Sequence, residues 1–481
     1  MTGVEATRPI WRRLILPIAV TALVIALVVS GLAFLIQKGL LTNKDEFTTA
    51  ERTREMLLLG RGAVRDNFAV SVVKPPLQYW LTTLTLPRFE KREVAIRIWP
   101  LLFGTLTATA TAWLAYLIEP KQPWLMPLAV GLLFTCPLFL TELCRGMLDS
   151  GLALFTTLAI IFAQLARRRP TWWLGVAIVC WLGTLQKVPL IALIWVIIVL
   201  LRLFSPAERP TLRTRWLPIS AVLACMLISI WPLLQSAWYR VSLADVFPFY
   251  EALDLMSPSR LGAKPFLEVP FRLTTTWPCG AVALFAAVAV HFGRHKDSRP
   301  AVVEISICSL VLVILVVLFG FRNARYTVPI IPCLALLLTL LLFPLWKQRT
   351  RFTSFVLLFV GVASLLGPEI TRRIVDARRQ NHSEQKLIAE KLGALQGKDG
   401  TQMVILEPDK GVLPEQFYLF YGNLRGPVKT WSVAEMRQAH PHRSAIGACN
   451  AKDLPAVRES YRDVTIEMRQ GQFICWRANP L

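Results

Sequence analysis

Asp45 and Glu46 stand together in TNKDEFTTAERTR (42–54), the first polar stretch after a long apolar run. A carboxylate there can take the proton of an attacking hydroxyl or amine, or hold sugar hydroxyls. Further on, VVKPPLQYW (72–80) sets Lys74 against Pro75 and Pro76. Proline fixes its own φ and drives the residue before it into extended geometry, so Lys74 is held on a stiff stalk as a point charge suited to a phosphate. Tyr79 and Trp80 follow, aromatics that favour a membrane–water interface. Later in the chain, Glu142, Arg145 and Asp149 lie within TELCRGMLDS (141–150). Lys187 interrupts a long apolar stretch in LGTLQKVPL, and Arg322, Arg325 and Tyr326 lie within FRNARYTVP (321–329). Carboxylates and cations in this mixture are what transfer from a lipid phosphate needs. The leaving phosphate needs positive charge as its bond breaks, and the incoming nucleophile needs a base.

Each cluster also has a plain structural reading. Thr48 and Glu51 have capping-box spacing, and acids near a helix N-terminus are favourable, so Asp45 and Glu46 fit a capped helix start. Lys74 fits a lysine snorkelling toward headgroups. Arg145 and Asp149 are four apart, which predicts a surface ion pair on a helix end. Lys187 fits a helix-end cap. What separates these readings is where the elements place the charges.

The elements are mostly apolar. Of 481 residues 54% are hydrophobic and only 17% charged, against about a quarter charged in soluble domains. Mean hydropathy is +0.49. Leu14–Ile36 carries no charge and is long enough to span a bilayer, so it predicts a retained first span rather than a cleaved signal. Further runs near 97–118, 124–141, 146–166, 171–186, 188–204, 216–236, 276–293, 302–320, 327–345 and 352–368 bring the expectation to about eleven spans. The net charge of +22 comes from short loops such as Arg167–Arg169 and Lys347–Arg351. That is the positive-inside bias of membrane proteins, and it argues against a nucleic-acid partner. Placing Arg8, Arg12 and Arg13 in the cytoplasm puts 37–96, 141–150, 186–188, 237–275 and 321–326 on the outer face. Every unusual polar cluster then falls on one side of the membrane. A transporter or lipid flippase, the alternative reading, would instead hold its charges near the midplane within repeated halves.

From about residue 370 the composition changes. Ser383 is the expected N-cap of a helix over 383–396. MVILEP, FYLFYG and VTIEM read as strands, and VAEMRQAH (433–440) and PAVRESY (455–461) as short helices. The expected organisation is a membrane domain over 1–369, carrying the outer loop 37–96, and a small outer α/β domain over 370–481. Seven of the nine cysteines lie in or beside spans. Cys449 and Cys475 fall in the outer domain, where either a disulfide or two unpaired structural thiols is open. Five scattered histidines and no Cys/His cluster argue against a structural zinc. A loosely bound divalent cation at Asp45 or Asp149 stays compatible, and no nucleotide-binding signature is visible.

DEFTTAERTREML followed by VVKPPLQYW resembles the first outer loop of the polyprenyl-phosphate-dependent GT-C glycosyltransferases, which include the lipid A aminoarabinose transferases and the protein O-mannosyltransferases. MLDSGLALF (147–155), TLQKVPL (184–190) and ARYTVPIIP (324–332) resemble later family segments, and the likeness covers about 10–345. It implies a mainly α, GT-C-like bundle in the bacterial inner membrane that moves a hexose or pentose, with inversion, from a polyprenyl-phosphate donor. The acceptor it implies is a lipid such as lipid A, another glycan or a protein on the periplasmic side. Position by position it implies Asp45 as the catalytic carboxylate with Glu46 beside it and Asp149 as a second site carboxylate. Lys74, Lys187 and Arg325 would meet the donor phosphate, and Arg145, Tyr79, Trp80 and Tyr326 would support the acceptor side and the loop. Thr48-Thr49 and Lys187-Val188 stand where the aminoarabinose transferases have Arg-Tyr and Lys-Gly, so the resemblance implies the reaction and not the sugar.

Overall fold

The computed structural model describes residues 10–187, 189–247, 277, 300–318, 324–348, 382–396, 401–407, 413–438, 441 and 443–480. The expected runs at 276–293 and 352–368 lie outside them apart from Trp277, as do Arg322 and most of 237–275. The chain is mainly helical and divides into two compact units. One comprises 1–36, 72–78 and 97–372; the other comprises 37–71, 79–96 and 373–481.

The first unit is the membrane part. Its helices are α1 (Ile10–Ile36), the greater part of α4 (Arg92–Ile118), α5 (Leu125–Phe134), α6 (Pro137–Leu143), α7 (Asp149–Ala166), α8 (Trp173–Gln186), α9 (Leu190–Phe204), α10 (Trp216–Tyr239), α11 (Pro300–Leu318) and α12 (Ile331–Gln348). Among the described residues, Arg13–Ile36, Arg92–Ile118, Asp149–Ala166, Trp216–Tyr239 and Arg325–Leu342 are each long and apolar enough to cross a bilayer. The expected run at 124–141 is instead a broken pair, with α5 and α6 meeting at 79°. Pro137 explains the break, since it sits in the first turn of α6 and holds Cys136 extended. Trp277 donates its indole N–H to the Thr135 hydroxyl beside the break, at 3.0 Å. Leu190–Phe204 and Pro300–Val316 are shorter apolar helices, so eleven full spans are not reached among the described residues. In α1 and α10 side chains such as Leu16, Leu23, Val222 and Met226 are exposed, as lipid-facing surfaces are. α7 is buried against α8 and α9.

The second unit contains α2 (Lys44–Leu59), β1 (Arg65–Asp66), β2 (Ala69–Val70), α3 (Leu77–Thr85) from Tyr79 on, and the start of α4. Its C-terminal part carries α13 (Ser383–Leu395), β3 (Gln402–Glu407), α14 (Glu415–Gly422), β4 (Val428–Ser432), α15 (Val433–Gln438), β5 (Ala445–Asn450), α16 (Leu454–Ser460), β6 (Tyr461–Gln470) and β7 (Phe473–Pro480). The sheet order is β4-β3-β5-β7-β6, parallel across β4, β3 and β5 and antiparallel at β7 and β6. Strand alternation sorts the core onto two faces. Met403, Ile405, Ile446, Ala448, Phe473 and Cys475 pack with α13, α14 and α2 on one. Val404, Leu406, Cys449, Ile474 and Trp476 pack with α15 and α16 on the other.

Two sequence expectations are corrected here, and the open question of the two outer cysteines is answered. FYLFYG is not a strand: it forms α14, whose seven residues Gln416–Gly422 are all buried. A helix enclosed on every side shows no amphipathic period, so its aromatic run imitates a strand. The N-cap of α13 is His382, not Ser383, and it makes no side-chain capping bond. Cys449 and Cys475 are free. Ala448 pairs with Cys475, and Cys449 with Ile474, so the two sulfurs point to opposite faces of the sheet and cannot bond.

Candidate functional site

In the first unit the sequence-predicted charges gather at the start of α7. Asp149 is its first residue, 1% exposed. Lys187 is the C-cap residue of α8, where its backbone N–H donates to Gly183. Its side chain reaches back, with Nζ 2.5 Å from Asp149 Oδ1 and 4.7 Å from the centre of the Tyr326 ring. Tyr326 and Arg325 lie in a 3-10 segment, Ala324–Ile330, that packs against α6 and α7. Arg145 pairs with Glu142, not with Asp149, at 3.5 Å. The predicted i,i+4 pair fails because α6 ends at Leu143 and residues 144–148 are a turn, so helical spacing does not run from 145 to 149. Asp149, Arg145, Arg325 and Lys187 all act electrostatically on the Glu142 carboxylate. Three cations and two carboxylates therefore gather near the start of α7, with Glu142, Arg145 and Asp149 buried and Lys187 and Arg325 half-buried.

Sequence reasoning missed Gln186, the residue before Lys187. It is fully buried, and its Nε2 donates to Gln78 Oε1 at 3.1 Å and to the Leu148 carbonyl at 3.0 Å. It thereby ties the end of α8 to the turn before Asp149 and to the segment after Lys74-Pro75-Pro76. A polar side chain beside the one lysine of an apolar stretch was the available signal. Gly151 is required here, because a Cβ on it would strike the Gln186 side chain. Glu142 Oε2, Arg145 Nε and Gln186 Oε1 are buried without hydrogen-bond partners. Buried polar atoms normally have a partner, so each of these calls for one, whether a water, an ion or a polar ligand. Lys74 is half-buried in the segment 72–78 of this unit, and Val72 at its base accepts from Phe247 N–H at 2.9 Å.

Asp45, Glu46, Tyr79 and Trp80 belong to the second unit. Asp45 is half-buried in the first turn of α2, where the helix N-terminus favours a negative charge. The cap is Asn43, whose side chain accepts from Asp45 N–H at 2.9 Å. Glu46 is fully buried and accepts from Thr42 N–H at 2.8 Å, so it closes the cap. The capping box expected at Thr48 and Glu51 is therefore displaced to Asn43 and Glu46. Thr48 donates to the Lys44 carbonyl, and Glu51 holds both arms of Arg54 at 2.8 and 2.6 Å. Tyr79 packs on Met56 and Val64 and its hydroxyl accepts from Arg52 at 3.2 Å. Trp80 donates to the Arg61 carbonyl at 3.0 Å. Tyr79 and Trp80 thus brace the end of α2. Among the described residues no three His, Cys, Asp or Glu side chains gather closely enough to hold a metal ion.

Residues 73–233 match the family model for dolichyl-phosphate-mannose-protein mannosyltransferase. No curated protein sequence matches the chain. The fold is similar to that of ArnT from Cupriavidus metallidurans. The apo crystal structure aligns with TM-score 0.70, and the structure bound to undecaprenyl phosphate with 0.72. Both are 15% identical and cover 96% of this chain and 99% of that one. AglB, the oligosaccharyltransferase of Archaeoglobus fulgidus, in complex with an inhibitory peptide and a dolichol-phosphate, aligns with TM-score 0.59 at 11% identity, over 96% of this chain and 74% of that one. The chain thus shares the fold of ArnT over nearly its whole length, and the family-model match covers VVKPPLQYW from its second residue.

Proposed function

We propose that this multi-pass membrane protein is a GT-C glycosyltransferase that moves a sugar from a polyprenyl-phosphate donor to an acceptor on the periplasmic side of the bacterial inner membrane. The observation that carries the proposal is the cluster of Arg145, Lys187 and Arg325 with Glu142 and Asp149, left with unsatisfied polar atoms. A polyprenyl-phosphate sugar is a phosphodiester with one negative charge. As the bond from the anomeric carbon to the phosphate oxygen breaks, the leaving polyprenyl phosphate becomes a monoester with a second charge. Fixed cations stabilise that growing charge more than they stabilise the bound donor, which is how they raise the rate. Lys74, Lys187 and Arg325 are assigned to that phosphate. The acceptor oxygen or nitrogen forms the new bond to the anomeric carbon from the opposite face, inverting it, and Asp45 takes the proton. Asp149 holds Lys187 in place through their 2.5 Å contact. Glu46 is assigned to the cap that fixes Asp45. The family-model match and the fold favour this reading over a transporter or flippase.

The complexes of ArnT with undecaprenyl phosphate and of AglB with a dolichol-phosphate and a peptide support a lipid-linked donor and leave lipid, glycan and peptide acceptors in play. The test uses purified protein in lipid nanodiscs with radiolabelled polyprenyl-phosphate sugars and membrane extract. Wild type releases polyprenyl phosphate and labels an acceptor, and Asp45→Asn slows this about 100- to 10,000-fold. Equal donor consumption by the two proteins overturns the assignment of Asp45, and lipid scrambling without donor consumption would move the protein to the flippase class.

A further inference from the structure

The helix that carries Asp45 is held at its entry, middle and exit by the C-terminal part of the second unit. At the entry, Tyr421 of α14 takes part in two bonds. Its hydroxyl accepts from Leu41 N–H at 2.9 Å and donates to Glu93 Oε1 at 3.1 Å. Leu41 is fully buried, four residues before Asp45. In the middle, the Phe47 ring meets the Phe417 ring edge-on with centroids 5.1 Å apart. At the exit, Arg54 Nη2, which also holds Glu51, donates to the Leu424 carbonyl at 2.7 Å, and Nη1 donates to Asn423 Oδ1 at 3.3 Å. Beyond α2, Asn67 sits at the tip of the β1–β2 hairpin with φ +51°. Its side-chain amide donates to the Val428 carbonyl and accepts from Val428 N–H, both at 2.8 Å. It pairs with β4 there as a neighbouring strand would.

A domain that merely packed beside the loop would not need hydrogen bonds to the backbone ahead of Asp45 and to the carbonyls just past α14. We infer that the C-terminal domain is the mount of the catalytic helix, and that Tyr421 is a positioning residue for Asp45, acting through Leu41 on the first turn of α2. This rests on the reading of Asp45 as the proton acceptor. A mount of this kind matters because small displacements of a base cost rate steeply, on the order of a hundredfold for 1 Å.

The test is Tyr421→Phe in the full chain in nanodiscs, measured with a polyprenyl-phosphate sugar donor. It removes one hydroxyl and keeps the ring. The expected result is a fall in kcat of about tenfold, with the donor KM within about twofold and little change in melting temperature. In an Asp45→Asn background, where the base is gone, the same change costs nothing further, because coupled residues are non-additive. Asn67→Gly, which keeps the positive φ but loses the amide, supplies a second arm at the other end of α2 and lowers kcat in the same way by about threefold. Wild-type kcat in both variants overturns the mount. So does a loss in Tyr421→Phe that multiplies with the loss in Asp45→Asn, or one that appears only as a raised KM or a lowered melting temperature. If Asp45→Asn alone is as active as wild type, the catalytic reading of Asp45 fails instead, and the two failures are distinct.

Discussion

Lys187 is where the two readings of a lone charge in an apolar stretch come together. It is the C-cap of α8, as a plain helix-end lysine would be, yet its Nζ lies 2.5 Å from Asp149 and over the Tyr326 ring. Asp149 is nearly inaccessible, so removing the lysine alone strands a buried carboxylate as well as a phosphate ligand. Lys187→Met is expected to lower turnover about 100- to 1,000-fold at saturating donor. The double variant Lys187→Met/Asp149→Leu separates the two causes, since it removes the stranded charge but restores no cation. Continued inactivity of the double variant supports a phosphate role, whereas recovery of turnover would reduce Lys187 to a counter-ion for Asp149. The sequence showed which residues carried charge but not how they pair. Asp149 went to Lys187, thirty-eight positions away, because the turn at 144–148 broke the helical spacing that made Arg145 its apparent partner.

At the scale of the element, α2 is a helix that buries ionisable groups. Glu51, Arg52, Arg54 and Glu55 are all buried. Burial, and then the neighbouring Glu51 charge, push the Glu55 carboxyl up to about 8, and burial raises Glu51 as well despite Arg54. Protonation relieves both the burial of the Glu55 charge and its repulsion from Glu51. A raised carboxyl binds its proton more tightly in the folded state than in the unfolded one. Its contribution is therefore best below the ordinary value near 4.5 and is lost as pH climbs toward about 8. Glu55→Gln, neutral at every pH, should gain melting temperature relative to wild type between pH 5 and 9, and parallel pH profiles would refute a buried, protonated Glu55. The element itself was legible from TNKDEFTTAERTR, but its cap was read too far along. Thr48 and Glu51 carry the Thr-x-x-Glu spacing of a capping box, and only the backbone, extended at Asn43, shows where the helix begins.

At the scale of the whole molecule, the membrane class was legible because lipid demands long apolar runs and leaves loop charges as a topological record, whereas the fold was legible only through the resemblance of VVKPPLQYW and its companion segments to a known family. What sequence could not show was long-range partnership: the grouping of 37–71 and 79–96 with 373–481, the opposed faces of Cys449 and Cys475, and the ion network at the far end of α7. There Arg202 of α9, fully buried, meets Glu304 of α11 at 2.8 Å. Arg167, just past α7, bonds Glu304 at 2.8 Å and Glu208 at 2.9 Å. Gln164 adds a bond to Glu304 at 3.0 Å. One carboxylate thus locks three helices whose other surfaces are apolar and could slide. A buried pair is costly to break and cheap to replace whole, because the penalty falls on the partner left charged and unpaired. Glu304→Leu should therefore destabilise the protein by about 3–5 kcal/mol, by leaving Arg202 buried without its counter-ion. Arg202→Met/Glu304→Leu should recover most of that loss while Arg167 keeps Glu208. Thermal unfolding of the three proteins in one detergent decides it: a double variant no more stable than Glu304→Leu would mean that the network holds the helices by its hydrogen-bond geometry rather than by charge neutrality.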